Sequence, residues 1–399
     1  MAYALANSYM GESLLSGFNW FDGADPSNGF VDYKSRSDAA GLGLFDHDPL
    51  TGVVRLGVDK TNTYGPGQGR PSIRLESKEA YNHGLFIADF LHMPPSQCGL
   101  WPAFWSYGPN WPYGGEVDII EGANNVHRNL ISAHTAPGCE VSNTLARYAS
   151  GSVQTSNCDI GQQNIGCGYT PTSQGASSYG DGFNAAGGGI YAMQWDDEHI
   201  RVWHFPRDEI PADIEQKNPD PESWGKPVAA FGGDSCKVDN YFRDMSIVLN
   251  INFCGDYGNA VWESDGCNAF APTCADWVGG NPAAFANAYW DVNYIDAYTF
   301  QDGKVPTVIP KPHGSPNRVN GSEPTTTTTK TTTTSSTLTV NPKPAKSVNP
   351  PANPKQIKDY AYLGCFGSSD GFEGFSKKAD DKSMTLQKCV GMCGGKKYA

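Results

Sequence analysis

The sequence is poor in charge, and poorest in positive charge. Charged residues make up 18% of the 399, and residues 1–300 hold only 15 Lys and Arg against 35 Asp and Glu, a balance of −20. A surface so acidic repels nucleic-acid phosphates and sulfated or carboxylated polymers, which are normally met by Lys and Arg patches. Nucleic acid is therefore not expected as a partner, and neutral ligands are favoured. No window approaches the roughly 20 uninterrupted apolar residues that a membrane helix needs, so no membrane span is expected. Met1–Met10 lacks a basic stretch followed by an apolar one, so no secretory leader is read there. No amphipathic run longer than about three helical turns competes for a core. No histidine stands beside the cysteines at zinc-finger spacing.

What is present points to an oxidising compartment and to strands. Cys98, Cys139, Cys158, Cys167, Cys236, Cys254, Cys267 and Cys274 form an even set before residue 300. Such a set suggests disulfides in a secreted, extracellular or cell-wall protein, without fixing their pairing. Segments alternating apolar with polar residues run over Asn129 to Thr135, Ile190 to Trp195, Ile200 to Phe205, Met245 to Phe253 and Trp290 to Tyr298. Gly, Pro, Asn and Asp separate them, and Asp196-Asp197-Glu198-His199 reads as a hairpin turn. Period-two patterns with turn punctuation predict an all-β fold, an antiparallel sandwich.

From residue 301 to about 360 the composition shifts to Pro, Thr, Ser and Lys, with a threonine-rich run over Thr325 to Thr337. This stretch cannot bury enough apolar area to fold. It reads as a linker, either unmodified or an O-glycosylated stalk, and Asn320-Gly321-Ser322 is an N-glycosylation triplet. Residues 361–399 regain Cys365, Cys389 and Cys393 but are too few for an ordinary core. The expected organisation is a domain over 1–300, a linker over 301–360 and the start of a second module over 361–399.

The most informative stretch is Gly114-Gly115-Glu116-Val117-Asp118-Ile119-Ile120-Glu121-Gly122. In a regular strand Glu116 and Asp118 share a face and Glu121 points to the other. A β-bulge at the doubled Ile119-Ile120 inserts one residue and returns Glu121 to the first face. The two Glu residues then stand about 13 Å apart at the backbone. Long side chains leaning inward on a concave sheet can shorten this to the ~5.5 Å of a retaining glycoside-hydrolysis pair. Three carboxyls on one face also push one another's pKa values apart, yielding an ionised and a protonated member at one pH. A solvated acidic strand or a calcium site is the alternative reading of the same spacing.

Aromatic residues lead into this cluster. Trp101, Ala103, Trp105 and Tyr107 alternate onto one strand face, and Trp111 follows just before the motif. Indole faces stack on the apolar faces of sugar rings, although any single Trp here also fits a core. His134 falls where an antiparallel return places it beside the carboxylates, to bond the nucleophile or a sugar, or to serve as a structural residue.

With these motifs the chain resembles glycoside hydrolase family 16, whose bulged form carries Glu-x-Asp-x-x-Glu, matched by Glu116, Asp118 and Glu121. The likeness extends to Trp101-Pro102-Ala103-Phe104-Trp105, His134-Thr135, Phe253-Cys254-Gly255-Asp256 and Phe285 through Asp291. The fit is close to fungal laminarinase-like endo-1,3(4)-β-glucanases. The resemblance implies a curved β-jelly-roll sandwich, concanavalin A-like, with an open substrate cleft. It implies a retaining double displacement with Glu116 as nucleophile, Glu121 as acid/base and Asp118 orienting Glu116. Sugar contacts are implied for Arg74, Trp101, Trp105, Trp111 and His134, while Tyr257 stands where relatives often have Trp. A neutral β-glucan is the expected partner, a monomer the expected state, and no cofactor or metal is required. A transglycosylase with the same intermediate and a glucan-binding lectin on the same sandwich are the competing functions. The tail, Tyr362-Leu363-Gly364-Cys365-Phe366 through Cys389-Val390-Gly391-Met392-Cys393, resembles the start of a WSC carbohydrate-binding domain.

Overall fold

The computed structural model describes residues 3–300 except 162–163 and 173–176, together with a two-rung antiparallel ladder, Gln356–Ile357 against Tyr360–Ala361. Contacts divide the chain into two units, Met1–Asn317 and Arg318–Ala399. Apart from that ladder, the expected linker and WSC-like segment lie outside the described residues.

The first half of the domain supplies β1 (Tyr3–Tyr9), β2 (Phe18–Trp20), β3 (Val31–Tyr33), β4 (Phe45–His47), β5 (Val54–Gly57), β6 (Arg70–Ser72), β7 (Arg74–Tyr81), β8 (Gly84–His92) and β9 (Leu100–Tyr107). The second supplies β10 (Glu116–Glu121), β11 (Ile131–His134), β12 (Ser152–Thr155), β13 (Cys167–Thr170), β14 (Gly189–Trp195), β15 (His199–Pro206), β16 (Ala229–Gly232), β17 (Met245–Phe253) and β18 (Tyr289–Phe300). Among the described residues the longest helix is only Cys274–Gly280.

Two eight-stranded antiparallel sheets result, in a β-jelly-roll sandwich. One runs β16-β15-β14-β8-β18-β5-β4 with β1 added along β18, and the other β12-β13-β11-β10-β9-β17-β7-β2. Phe86, Ala88, Phe90, Val54 and Leu56 of the first sheet share a core with Leu75, Phe104, Val117, Leu249 and Ile251 of the second. The ring contact of Phe90 with Phe104 (5.2 Å) joins the two layers, while Phe90 meets Trp290 (4.9 Å) within the first sheet. The first sheet is covered on its other face too, where Leu85, Ile87, Ile190 and Trp203 pack against Ile214 and Trp224. The second sheet keeps its outer face open for polar and aromatic side chains. The hairpin at 196–199 forms as read, Asp196 N–H donating to the His199 carbonyl at 3.0 Å.

Four disulfides form: Cys98–Cys267, Cys139–Cys236, Cys158–Cys167 and Cys254–Cys274. The first pins the segment after β17 to the chain entering β9, and the last closes a loop within that segment. Cys98–Cys267 closes 169 residues, and on the chain-entropy account such a link is worth about 5 kcal/mol. Replacing this pair with Ala is therefore expected to lower the melting temperature the most of the four, with Cys158–Cys167, separated by 9 residues, the least. Differential scanning calorimetry of the four double variants ranks them.

Candidate active site

The doubled isoleucine is a bulge. Against β9, Glu116 pairs with Tyr107 and Asp118 with Trp105, the register then slips, and Ile120 pairs with Phe104 and Glu121 with Ala103. Directly paired residues share a face, so Glu116, Asp118 and Glu121 all stand on the open side while Ile119 and Ile120 are both buried in the core. On the same face β9 presents Tyr107, Trp105, Ala103 and Trp101, opposite Ser246, Val248, Asn250 and Asn252 of β17. Arg74 and Glu76 of β7 extend the row.

Each carboxyl has its own partner. Trp111 Nε1 donates to Glu116 Oε2 at 2.6 Å, and Trp101 Nε1 donates to Glu121 Oε1 at 2.9 Å. Asp118, buried between them, accepts from Ser132 Oγ at 2.7 Å and from His134 Nε2 at 3.3 Å. His134 pairs across strands with Glu116, as its sequence position suggested, but its ring bonds Asp118 rather than Glu116. Its Nδ1 faces Asn164 Oδ1 at 3.1 Å. Two oxygen acceptors on two ring nitrogens suit the doubly protonated imidazolium.

Titration follows from this packing. Burial lifts both Glu carboxyls, the Asp118 charge lifts them further, and His134 and the indole N–H groups pull back, leaving each raised to about 8. Burial alone would depress His134, but the hydrogen bond and charge of Asp118, with those of the two Glu residues, raise it to about 10. At neutral pH the imidazolium offsets the Asp118 carboxylate. Asp118→Asn is accordingly expected to lower the His134 pKa and to cost about 10²-fold in turnover. NMR titration of His134 beside rate measurements checks both.

Glu116, Asp118 and His134 bring ligand atoms within 4.8 Å of one another. This is a poor calcium shell, which is built of oxygens, and an imidazolium donating through both nitrogens has no lone pair for any metal until it loses a proton.

The remaining candidates spread along the face. Trp105 Nε1 donates to Asn250 Oδ1 at 2.8 Å, whose Nδ2 donates to Tyr33 Oη at 3.0 Å. Arg74 is buried, bonding Glu76 through Nε and Nη2, both at 2.8 Å, with Phe21 and Trp105 against its guanidinium. Trp101 meets Tyr257 edge-on and sits over Gly255, whose Cβ, if present, would lie 2.6 Å from the indole. Trp111 is 40% exposed. None of the three Trp side chains belongs to the core between the sheets. Ser132, Asn164, Glu76 and Asn250 were not singled out from sequence. Ser132 is legible in retrospect, two residues before His134 and hence on its face.

The catalytic-domain model described as XgeA-like GH16 matches residues 18–298. The chain belongs to glycoside hydrolase family 16. This family 16 domain is 42% identical over 310 residues to an endo-1,3(4)-β-glucanase of Arthroderma benhamiae, covering 76% of this chain and 66% of that protein. It is 41% identical over 302 residues to the endo-1,3(4)-β-glucanase xgeA of Emericella nidulans, covering 74% and 47%. The chain thus spans about half to two thirds of these curated relatives. Among solved structures, an elongating family 16 β-1,3-glucosyltransferase matches at 42% identity and TM-score 0.70, over 75% of this chain and all of that one. Laminarinase 16A from Phanerochaete chrysosporium, carrying 6-O-glucosyl-laminaritriose in donor and acceptor sites, matches at 36% and 0.70 with the same coverage.

Proposed function

We propose that this family 16 domain is a secreted, retaining endo-β-glucanase acting as a monomer on β-1,3 and mixed β-1,3/1,4 glucans. The observation that carries the reading is the bulge that turns Glu121 back beside Glu116, on a face lined by Trp101, Trp105 and Trp111. The endo-1,3(4)-β-glucanase relatives support the substrate class, and the four disulfides an oxidising compartment.

The two Glu residues titrate as a pair. In the productive form Glu116, the cross-strand neighbour of His134, is the ionised member and Glu121 the protonated one. Glu116 then attacks the anomeric carbon while Glu121 protonates the departing glycosidic oxygen. In the second half, Glu121 takes a proton from water as that water displaces Glu116 from the glycosyl–enzyme. The side chains supply both proton and nucleophile, so this mechanism calls on no cofactor.

A reducing-end assay with product chromatography on laminarin, lichenan, curdlan and carboxymethylcellulose tests this, with Glu116→Gln as the blank. Release from laminarin and lichenan by the parent alone is expected; silence on all four overturns the hydrolase reading. The glucosyltransferase neighbour favours a second reading, in which a sugar hydroxyl outcompetes water at the same intermediate. Products longer than the starting oligosaccharide identify that outcome.

A further inference from the structure

A bulge leaves backbone groups without a ladder partner, and buried backbone groups need one. The pairing of β10 with β11 ends at Asp118 opposite Ser132, before the bulge. Beyond it, the Ile119 carbonyl and the Glu121 N–H are met by one side chain. Asn129 Nδ2 donates to the Ile119 carbonyl at 2.8 Å, and Asn129 Oδ1 accepts from the Glu121 N–H at 2.9 Å. Asn129 is fully buried, and its own N–H donates to Ser178 Oγ at 3.2 Å. The next residue completes the clamp, Leu130 N–H donating to the Glu121 carbonyl at 3.1 Å. Both polar backbone groups of Glu121 are therefore held by the segment entering β11.

We propose that Asn129 is a positioning residue for proton transfer by Glu121. Its carboxamide fixes the bulge in the register that aims Glu121 at the leaving oxygen. An amide does this in one side chain, because it offers an acceptor for an N–H and a donor to a C=O from two separate atoms. Aspartate keeps the acceptor and sets a second oxygen against the Ile119 carbonyl; serine is too short to span both. The inference rests on the acid role of Glu121 proposed above. In that step Glu116 forms a bond to the anomeric carbon, the C–O bond breaks, and its electron pair stays on the leaving oxygen, which takes the Glu121 proton.

The test compares kcat/KM on laminarin with kcat/KM on 2,4-dinitrophenyl β-laminaribioside, whose phenolate departs without a proton. Asn129→Asp is expected to lose about 100-fold on laminarin and less than about threefold on the aryl glycoside, because a displaced acid matters only where protonation does. Equal losses on both substrates, or no loss on either, overturn the proposal. Asn129→Ser, read on the same two substrates, serves if the Asp variant does not fold. If neither folds, Asn129 is a folding residue and the positioning assignment fails. A parent inactive on both substrates is a separate result, which defeats the hydrolase reading before any variant is made.

Discussion

Glu116→Gln is expected to lower kcat on laminarin by about four orders of magnitude or more while raising thermal stability at neutral pH. The amide keeps the shape of the side chain and an oxygen to accept from Trp111 Nε1, so the fold around β10 has no reason to change. What it removes is the nucleophile of the proposed mechanism. The stability gain follows from the direction of the shift. The folded-state pKa of Glu116 lies near 8, above its ordinary 4.5, so folding is penalised wherever the unfolded chain carries the charge more readily. That penalty is absent below pH about 4.5, grows as pH rises towards 8 and levels off above it. Thermal melts between pH 4 and 9 should show the parent losing stability through this window and Glu116→Gln losing less. A variant that retained near-parental turnover would sink the assignment of Glu116.

Glu121→Ala is expected to lose roughly three orders of magnitude in kcat/KM on laminarin and far less on an activated aryl glycoside. The same substitution at Glu116 should abolish both. Azide separates the roles by stereochemistry. In Glu116→Ala the anion occupies the space of the missing nucleophile and displaces the leaving group once, giving the α-glycosyl azide. In Glu121→Ala the glycosyl–enzyme still forms on Glu116 from an activated donor, and azide then attacks it from the other side, giving the β-glycosyl azide. Proton NMR of the anomeric centre distinguishes the two. A β product from Glu116→Ala, or an α product from Glu121→Ala, would exchange the roles of the pair.

Much of this site was legible because strand geometry is strict about faces. The doubled isoleucine interrupts an alternation that otherwise holds from Glu116, and a bulge is the local change that keeps both Ile119 and Ile120 buried while Glu121 stays with Asp118. The alternation of Trp101, Ala103, Trp105 and Tyr107 likewise put them on the carboxylate face. Legibility failed where a residue acts on something remote in sequence. The strand expected to start at Asn129 begins at Ile131: the Asn129 N–H donates to Ser178 Oγ instead of to a ladder, and its side chain is taken up by the bulge. Asn164 reaches His134 from 30 residues away, from within the loop that Cys158–Cys167 closes, and no local pattern records that.

The central strand β8 escaped for the opposite reason. Leu85-Phe86-Ile87-Ala88 is apolar without interruption since both its faces are covered, so the period-two signal vanishes where burial is greatest. Arg74 shows a further limit. The resemblance implies it as a sugar contact, and no signal singled out Glu76, which holds its guanidinium between aromatic rings.

The indole N–H bonds also make the site optically addressable. Trp101 is wired to Glu121 and Trp111 to Glu116, one chromophore to each carboxyl of the pair. Gain or loss of a proton on either acid alters the field across its own indole, so near-ultraviolet emission carries a readout of the protonation state of each. Replacing Trp101 or Trp111 singly by Phe would assign the two signals, turning the enzyme into a reporter of its own catalytic ionisation in the absence of any substrate.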